Sequence, residues 1–283
     1  MEVIRDLKAK FKDQPEVVNL AVFAVSWLIW TPISIATRTY RQVYLIGLGA
    51  SPAIVSLILS VSSFTVAFAR IPGGYLTDRI GRKRLIVPLT FLVGFPSLIY
   101  AFAPSWEWFL VGVIINQIAH LYQPAIRAIL ADSLPEDQRG VGYSFLRILP
   151  SLVGIMGPSL ALFLINRSCG LVKGVRFAYL LSALAGVAIA SLRWIFLKPT
   201  VKGETKKEDL IDDVRHQYGE ATRFIKNNLK TLVLLYLTYR FGHGMMVLTQ
   251  LFIVDLASEN YWGLLSILRR VIVFVLTIPF GIW

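Results

Sequence analysis

The feature that most constrains this chain is a series of about eight apolar runs separated by charged connections. The runs cover roughly residues 17–46, 52–76, 85–103, 107–131, 141–166, 175–197, 230–254 and 260–283. A helix needs about 20 mainly apolar residues to cross a bilayer, and the runs have about this length or more. A membrane β-barrel would instead need alternating segments of about ten residues, whereas these runs are continuous. We therefore predict an all-α, polytopic helical protein embedded in a lipid bilayer.

The composition supports this class and excludes others. Hydrophobic residues make up 55% of the 283 positions and charged residues 16%, whereas soluble domains carry about 25% charged residues. The net charge of +12 lies in short clusters between apolar runs, so we expect no nucleic-acid partner, which would need one solvated basic face. Cys169 is the sole cysteine. It excludes an internal disulfide, and we expect no metal and no cofactor.

The placement of lysine and arginine predicts the orientation. One set of connections is rich in them: Arg5, Lys8, Lys10 and Lys12; Arg79, Arg82, Lys83 and Arg84; Arg139; and Lys198, Lys202, Lys206, Lys207, Arg215, Arg223, Lys226 and Lys230. The alternate connections hold only Arg167, Lys173 and Arg176. Because basic connections remain in the cytoplasm, we predict a multi-pass protein of the cytoplasmic (plasma) membrane with a cytosolic N-terminus.

Two charged segments have amphipathic patterns. Apolar residues recur at helical spacing in residues 3–11, which indicates either a short helix on the membrane surface or a disordered tail. Residues 199–229 mix charged and apolar residues at three- and four-residue steps, which fits either an amphipathic helix or a flexible charged linker. This long connection divides six runs from two.

An internal repeat extends this division. The run from Ser51 ends in Ile71-Pro72-Gly73-Gly74, and the run from Ser258 ends in Ile278-Pro279-Phe280-Gly281 at the same distance. Run 2 therefore resembles run 8, as expected for two six-helix halves related by a parallel repeat. We predict a six-helix bundle over 1–198, a cytosolic linker with an amphipathic helix over 199–229, and the first two helices of an incomplete second bundle over 230–283.

Residues 74–84 carry the most specific motif. The segment reads Gly-Tyr-Leu-Thr-Asp-Arg-Ile-Gly-Arg-Lys-Arg. Gly74 would let two helix backbones approach closely, and Gly81 would permit a tight reversal. The segment resembles the signature loop of the major facilitator superfamily of secondary transporters, G-x-L-x-D-R-x-G-R-[KR]. The resemblance implies a cytosolic latch formed by Asp78, Arg79 and Arg82.

Two further stretches resemble drug-efflux-like members of that family. One runs from Pro124 to Gly140 and contains Arg127, Asp132 and Arg139. The other, in run 5, contains Gly154, Gly157 and Pro158, which partly match the bend of the antiporter motif. Two departures weaken the case for a proton-coupled antiporter: Ala161 and Leu162 replace expected glycines, and Gly112 stands where an arginine is common.

The resemblance implies that the first and fourth helices of each half line a central cavity. Polar residues on single helical faces of these runs are the cavity candidates: Trp27, Thr31, Ser34 and Arg38; Asn116, His120 and Gln123; and Tyr236, Arg240 and His243. Arg41 and Arg127 share two of these faces, and the resemblance assigns Arg127, Asp132 and Arg139 to the cytosolic gate, together with Gly74, Gly81 and the latch residues. Alternatives remain open for several of them. The side chains of Arg38 and Arg41 would also fit positions that snorkel to the membrane interface. Arg127 would fit an ion pair with Asp132 or with an inner-gate carboxylate. His120 would fit a structural hydrogen bond between helices.

The eight runs contain no carboxylate near mid-membrane, although Arg240, Arg147, Arg269 and Arg270 lie inside them. A transporter of cations would usually need such a carboxylate, so the charges favour an anionic or neutral substrate. Protonation of His120 or His243 would offer a route to proton coupling.

We expect a secondary active transporter that moves a small solute by alternating access. The motifs favour an efflux-type porter, and the buried arginines an organic-anion or metabolite porter. The third alternative is a truncated, non-transporting membrane protein of the same family, because the chain ends after the eighth run. If the complete protein is instead a transporter, we expect either a separate chain that supplies the four missing helices or an incomplete sequence. We do not expect the chain to be an enzyme, since its sequence shows no catalytic constellation and no phosphate-binding loop.

Overall fold

The computed structural model describes residues 14–136, 139–168, 170–200 and 249–280, together with residues 219, 223, 231, 234, 235 and 238. The predicted surface helix at the N-terminus, most of the 199–229 linker and nearly all of run 7 before residue 249 lie outside these ranges. The described part is helical throughout: α1 Pro15–Thr39, α2 Arg41–Gly47, α3 Pro52–Ile80, α4 Arg82–Phe102, α5 Trp106–Ala119, α6 Gln123–Ser133, α7 Arg139–Gly154, α8 Met156–Arg167, α9 Leu171–Phe196, α10 Thr249–Leu256 and α11 Glu259–Phe280.

Five described segments are long and apolar enough to cross a membrane. They are Pro15–Thr39, Arg82–Phe102, Trp106–Ser133, Gly142–Arg167 and Leu171–Phe196, and they correspond to runs 1, 3, 4, 5 and 6. Run 2 contributes the shorter apolar segment Pro52–Val66 within α3. The prediction of an all-α, polytopic membrane protein is therefore confirmed.

Three of the predicted runs are interrupted rather than continuous. Run 1 divides at Tyr40, between α1 and α2. Run 4 passes through a 3-10 turn, His120–Tyr122, just before Pro124, and run 5 breaks at Ile155, just before Pro158. Proline has no N–H to donate one turn back, so the second and third breaks coincide with a lost helical hydrogen bond. Proline alone does not decide them, because Pro32, Pro72 and Pro88 lie inside unbroken helices.

Small residues let the helices of the bundle pack closely. Helix α9 lies against α4 and α1, and a Cβ atom on Gly186 would stand 2.7 Å from the Cα of Gly94 in α4. Helix α1 lies against α7 and α8. There a Cβ on Gly157 would stand 2.9 Å from the carbonyl oxygen of Pro32, so only glycine fits. Gly154 meets the same face of α1 at Ile35, and Pro158 is buried in α8.

The bundle has two ends, which differ in the contacts that hold them together. The N-terminal end holds the start of α1, the Gly81 turn and the end of α9, where Asn19 and the Lys198 backbone exchange hydrogen bonds of 2.8 and 3.2 Å. The far end holds the α1–α2 break and the α10–α11 connection.

Helices α10 and α11 join the far end of the bundle through side chains that bind the α1–α2 break. Gln250 Nε2 and Trp262 Nε1 each donate a 2.7 Å hydrogen bond to the carbonyl of Thr39. That carbonyl lies at the end of α1, where it has no helical partner of its own. Tyr40 Oη donates to the carbonyl of Glu259 at 2.7 Å. These hydrogen bonds connect the end of α1 to α10 and to the start of α11.

Candidate substrate-binding site

Two adjoining cavities lie inside the bundle, between α1, α4, α5, α6 and α9. The central cavity, of about 110 Å³, is lined by residues that include Ser34, Arg38, Arg41, Asn116, His120 and Tyr179. The N-terminal cavity, of about 160 Å³, is lined by residues that include Trp27, Thr90, His120, Tyr122, Gln123 and Arg193. Arg38, Trp30 and His120 line both, so the two cavities are neighbours along one path.

Most of the described cavity candidates do line these cavities. Trp27, Ser34, Arg38, Asn116, His120 and Gln123 are among the lining residues. Thr31 is not. Its methyl group instead lies near Gly154 of α7, where it belongs to the packing of α1. The candidates Tyr236, Arg240 and His243 of run 7 lie outside the described residues.

Arg38 and Arg41 both face the central cavity. Arg38 is exposed to this space although apolar helices surround it, and the buried Nε of Arg41 has no hydrogen-bond partner. Within the described ranges, no carboxylate pairs with either side chain. An unneutralised guanidinium at this position favours a negatively charged ligand.

An aromatic wall closes the central cavity on one side. The rings of Tyr100 and Phe109 are centred 4.3 Å apart, and those of Tyr100 and Tyr179 5.0 Å apart. Tyr44 Oη donates a 2.6 Å hydrogen bond to the carbonyl of Tyr100, which holds α2 against α4. Gly112 of α5 completes the wall, because a Cβ there would lie 2.6 Å from the Tyr100 ring. This contact leaves no room for the arginine that is common at this position.

His120 stands at the junction of the two cavities. Its Nδ1 lies 2.6 Å from the carbonyl oxygen of Asn116, one turn earlier, and its ring stacks on Tyr122. Since a carbonyl can only accept, Nδ1 is the nitrogen that carries the proton of this hydrogen bond, which lies within one helical segment.

The walls from α4 and α9 were missed by the sequence interpretation, which inspected only runs 1, 4 and 7. Ser97 and Ser182 face each other across these helices at 3.2 Å, and both line the central cavity. Arg193 was missed as well, although it stands inside run 6 and the rule that drew attention to Arg147 would have found it. The signal for these residues was their polarity inside apolar runs, which an inspection of every run would have found.

Arg193 is almost fully buried, with 4% of its surface exposed. Its Nη1 donates to Thr90 Oγ1 at 3.0 Å and its Nε to Ser26 Oγ at 3.4 Å. The guanidinium carbon lies 5.2 Å from the ring centre of Phe23 and 5.9 Å from that of Tyr122. Four neutral groups thus surround this cation. Among the described residues, none forms an ion pair with Arg193.

The signature segment occupies the N-terminal end. Arg82 forms an ion pair with Asp132 of α6, and its Nη1 donates to the Ala128 carbonyl at 3.1 Å and to Thr200 Oγ1 at 3.0 Å. Gly81 adopts φ = 92°, a conformation that favours glycine, at the reversal between α3 and α4. Arg79 contacts the hydroxyl of Tyr75 in the previous turn. The side chain of Asp78 lies outside the described part.

Two expectations about this end are corrected. The close approach belongs to Gly73, whose Cβ would clash with the carbonyl of Leu121, whereas a Cβ on Gly74 would meet open space. Asp132 pairs with Arg82 rather than with Arg127, which is exposed. The reason in both cases is the rotation of the helix about its axis, which decides which of several nearby residues faces the neighbour. Arg139 pairs with Glu136 at 3.4 Å on the exposed surface.

Comparison with known proteins identifies the family to which this chain is similar. The model of the Major Facilitator Superfamily matches residues 17–283. A Na(+), Li(+), K(+)/H(+) antiporter of Planococcus maritimus is 28% identical over 183 residues, which cover 62% of this chain and 38% of the antiporter. The putative multidrug resistance protein MdtD of Pectobacterium atrosepticum is 27% identical over 177 residues, which cover 62% of this chain and 36% of MdtD.

The chain therefore matches less than two fifths of the length of either relative. Among solved structures, a D-xylose-proton symporter has a TM-score of 0.55 and 17% identity, with 93% of this chain and 67% of the symporter covered. At this identity the likeness shows the fold alone. Because the family model matches most of the sequence, this chain belongs to the Major Facilitator Superfamily of membrane transporters.

Proposed function

We propose that the chain acts in a secondary transporter that moves a small organic anion through the cavity at Arg38 and Arg41. The observation that carries this proposal is the pair of cavity-lining arginines with no carboxylate partner among the described residues. A carboxylate or phosphate on the substrate would supply the missing charge and would bind a guanidinium through two parallel hydrogen bonds. The remaining walls offer hydroxyls and aromatic faces.

The cavity dimensions support a small solute. Pockets for drug-sized ligands enclose about 300–1,000 Å³, whereas these two cavities enclose about 110 and 160 Å³. The central cavity would accept a compact acid, with its apolar part against Tyr100 and Tyr179 and its charged group at Arg38. Alternating access would then require the tied far end to separate while the N-terminal end closes.

A second candidate is an efflux-type porter of neutral or cationic compounds. Its support is the resemblance of residues 124–140 and 154–158 to drug-efflux-like members, together with the 27% identity to a putative multidrug resistance protein. The charge of the cavity stands against a cationic substrate, because Arg38 and Arg41 would repel it.

The finer architecture is part of the proposal. We assign residues 1–198 to a six-helix half, 199–229 to a cytosolic linker and 230–283 to the start of a second half. The basic connections at the N-terminal end support a cytosolic location for that end in the plasma membrane. The support for proton coupling is the antiporter of Planococcus maritimus, which carries the proton in its name. His120, at the junction of both cavities, is the residue that we assign to it.

Transport by the reconstituted full chain tests the proposal. Proteoliposomes would be assayed for uptake of labelled monocarboxylates, dicarboxylates and phosphate esters, and for transport of a cationic dye. We expect uptake of one anionic class that Arg38→Gln abolishes and Arg167→Gln preserves, since Arg167 is exposed and away from both cavities. Dye transport that Arg38→Gln leaves unchanged would favour the efflux porter, and no transport of any compound the non-transporting protein.

A further inference from the structure

Arg193 carries a charge that no carboxylate neutralises within the part of the chain that the structure describes. The hydroxyls of Ser26 and Thr90 each donate their own proton to a carbonyl one turn earlier, at Val22 and Ile86, both at 2.6 Å. They therefore meet Arg193 as acceptors with only a partial negative charge. The guanidinium stays protonated in any protein environment, so burial cannot remove its charge.

The cavity beside Arg193 has the features of an anion site. Arg38 adds a second positive charge to its wall, and no acidic residue is among the lining residues. Gln123 offers amide donors, and the cavity encloses about 160 Å³, enough for a small anion and several waters. Cations that line a space with low-dielectric walls concentrate anions within it.

We propose that the N-terminal cavity is a second anion-binding site, centred on Arg193 and distinct from the central cavity. Its ligand is a small anion, either the carboxylate group of a transported solute or a free inorganic anion such as chloride. Arg193 lines the N-terminal cavity and is not among the residues that line the central cavity, so substitutions of Arg193 test this site separately from transport through the central cavity. An anion bound there would neutralise the charge of the buried Arg193 side chain.

Anion titrations of the purified full chain test this site. Trp27 and Trp30 line the cavity, so tryptophan fluorescence reports on its contents. Sodium gluconate, which has a bulkier anion, would be replaced by chloride or by acetate at constant ionic strength. We expect a saturable fluorescence change together with a rise in melting temperature. Binding of both anions would identify a general anion site, and binding of acetate alone a carboxylate site; the absence of a saturable response to either would overturn the proposal.

Variants locate the response. Arg193→Gln should weaken the affinity at least about tenfold, and the matched control Arg167→Gln should leave it unchanged. Arg193→Lys keeps the charge but loses the planar fork, so a folded lysine variant should bind about threefold to tenfold more weakly. This variant decides the matter if the glutamine variant does not fold. An Arg193 variant with the wild-type affinity would overturn the proposal, even if Arg38→Gln abolishes transport.

Discussion

Arg82 and Arg193 are arginines of the same bundle with opposite electrostatic surroundings. Arg82 lies at the N-terminal end, pairs with Asp132 and donates further hydrogen bonds to a carbonyl and a hydroxyl. Arg193 lies inside the membrane segment and is held only by hydroxyls and ring faces. The difference separates two uses of one residue type. A compensated arginine ties helices together, whereas an uncompensated one is available to a negatively charged ligand.

Arg38 belongs with Arg193 in this comparison, and its substitution should have the largest effect. We expect Arg38→Gln to reduce anion uptake by about 100-fold or more, because a charge-assisted, bidentate contact to the substrate is lost. The melting temperature should hardly change, since within the described ranges no ion pair ties Arg38 to another helix. Initial uptake rates in proteoliposomes, beside the melting curve in detergent, measure both effects. A variant that loses stability and uptake together would place Arg38 with the structural arginines.

Asp132→Asn should have the next largest effect, this time on stability. It leaves Arg82 without its countercharge, and loss of one partner of a fully buried pair costs about 3–5 kcal/mol. The side chains here are 16% and 32% exposed, so solvent reduces the expected loss to about 1–2 kcal/mol. The double variant Arg82→Gln/Asp132→Asn should recover part of the loss in the same unfolding assay. A double variant less stable than the single one would break the comparison.

Arg193→Met tests the opposite expectation at the other arginine. Replacing a buried charge by an apolar side chain of similar length is often neutral or stabilising. We expect a free energy of unfolding within about 1 kcal/mol of the wild type, or higher, measured without added anions. A loss as large as that of Asp132→Asn would mean that Arg193 is structural.

The smallest effect is expected at Arg127. Its side chain is exposed and Asp132 is engaged by Arg82, so Arg127→Gln should change stability by less than about 0.5 kcal/mol. The measurement is the same unfolding assay, with Asp132→Asn as the positive control. A larger loss would show that Arg127 shares the carboxylate after all.

The helical class, the spans and the family motif could be predicted from the sequence because they depend on local composition. The reversal at Gly81 needs a backbone conformation that glycine favours, so its residue type already indicated the turn. The close helix contact near Gly73 and Gly74 could not be assigned in this way, because both residues are glycine and either would fit such a contact. Only the rotation of α3 against the turn at Leu121 selects Gly73.

The cavity was predicted in part for a similar reason. The spacing of Ser34, Arg38, Asn116 and His120 placed them on single faces of two runs, and those faces do line the space. The walls from α4 and α9 could not be assigned, because which face of a third or fourth helix turns inward depends on its packing. The contact of Gly94 with Gly186 brings these two helices together.

By itself the sequence determined that this chain crosses the membrane several times and belongs to a family of transporters, since apolar length and a local motif need no partner. Only the tertiary structure decided which arginines are neutralised. The charge of an arginine is a property of its side chain, but its compensation requires a carboxylate from another helix to arrive beside it. Asp132 arrives beside Arg82, and within the described chain no carboxylate pairs with Arg38 or Arg193.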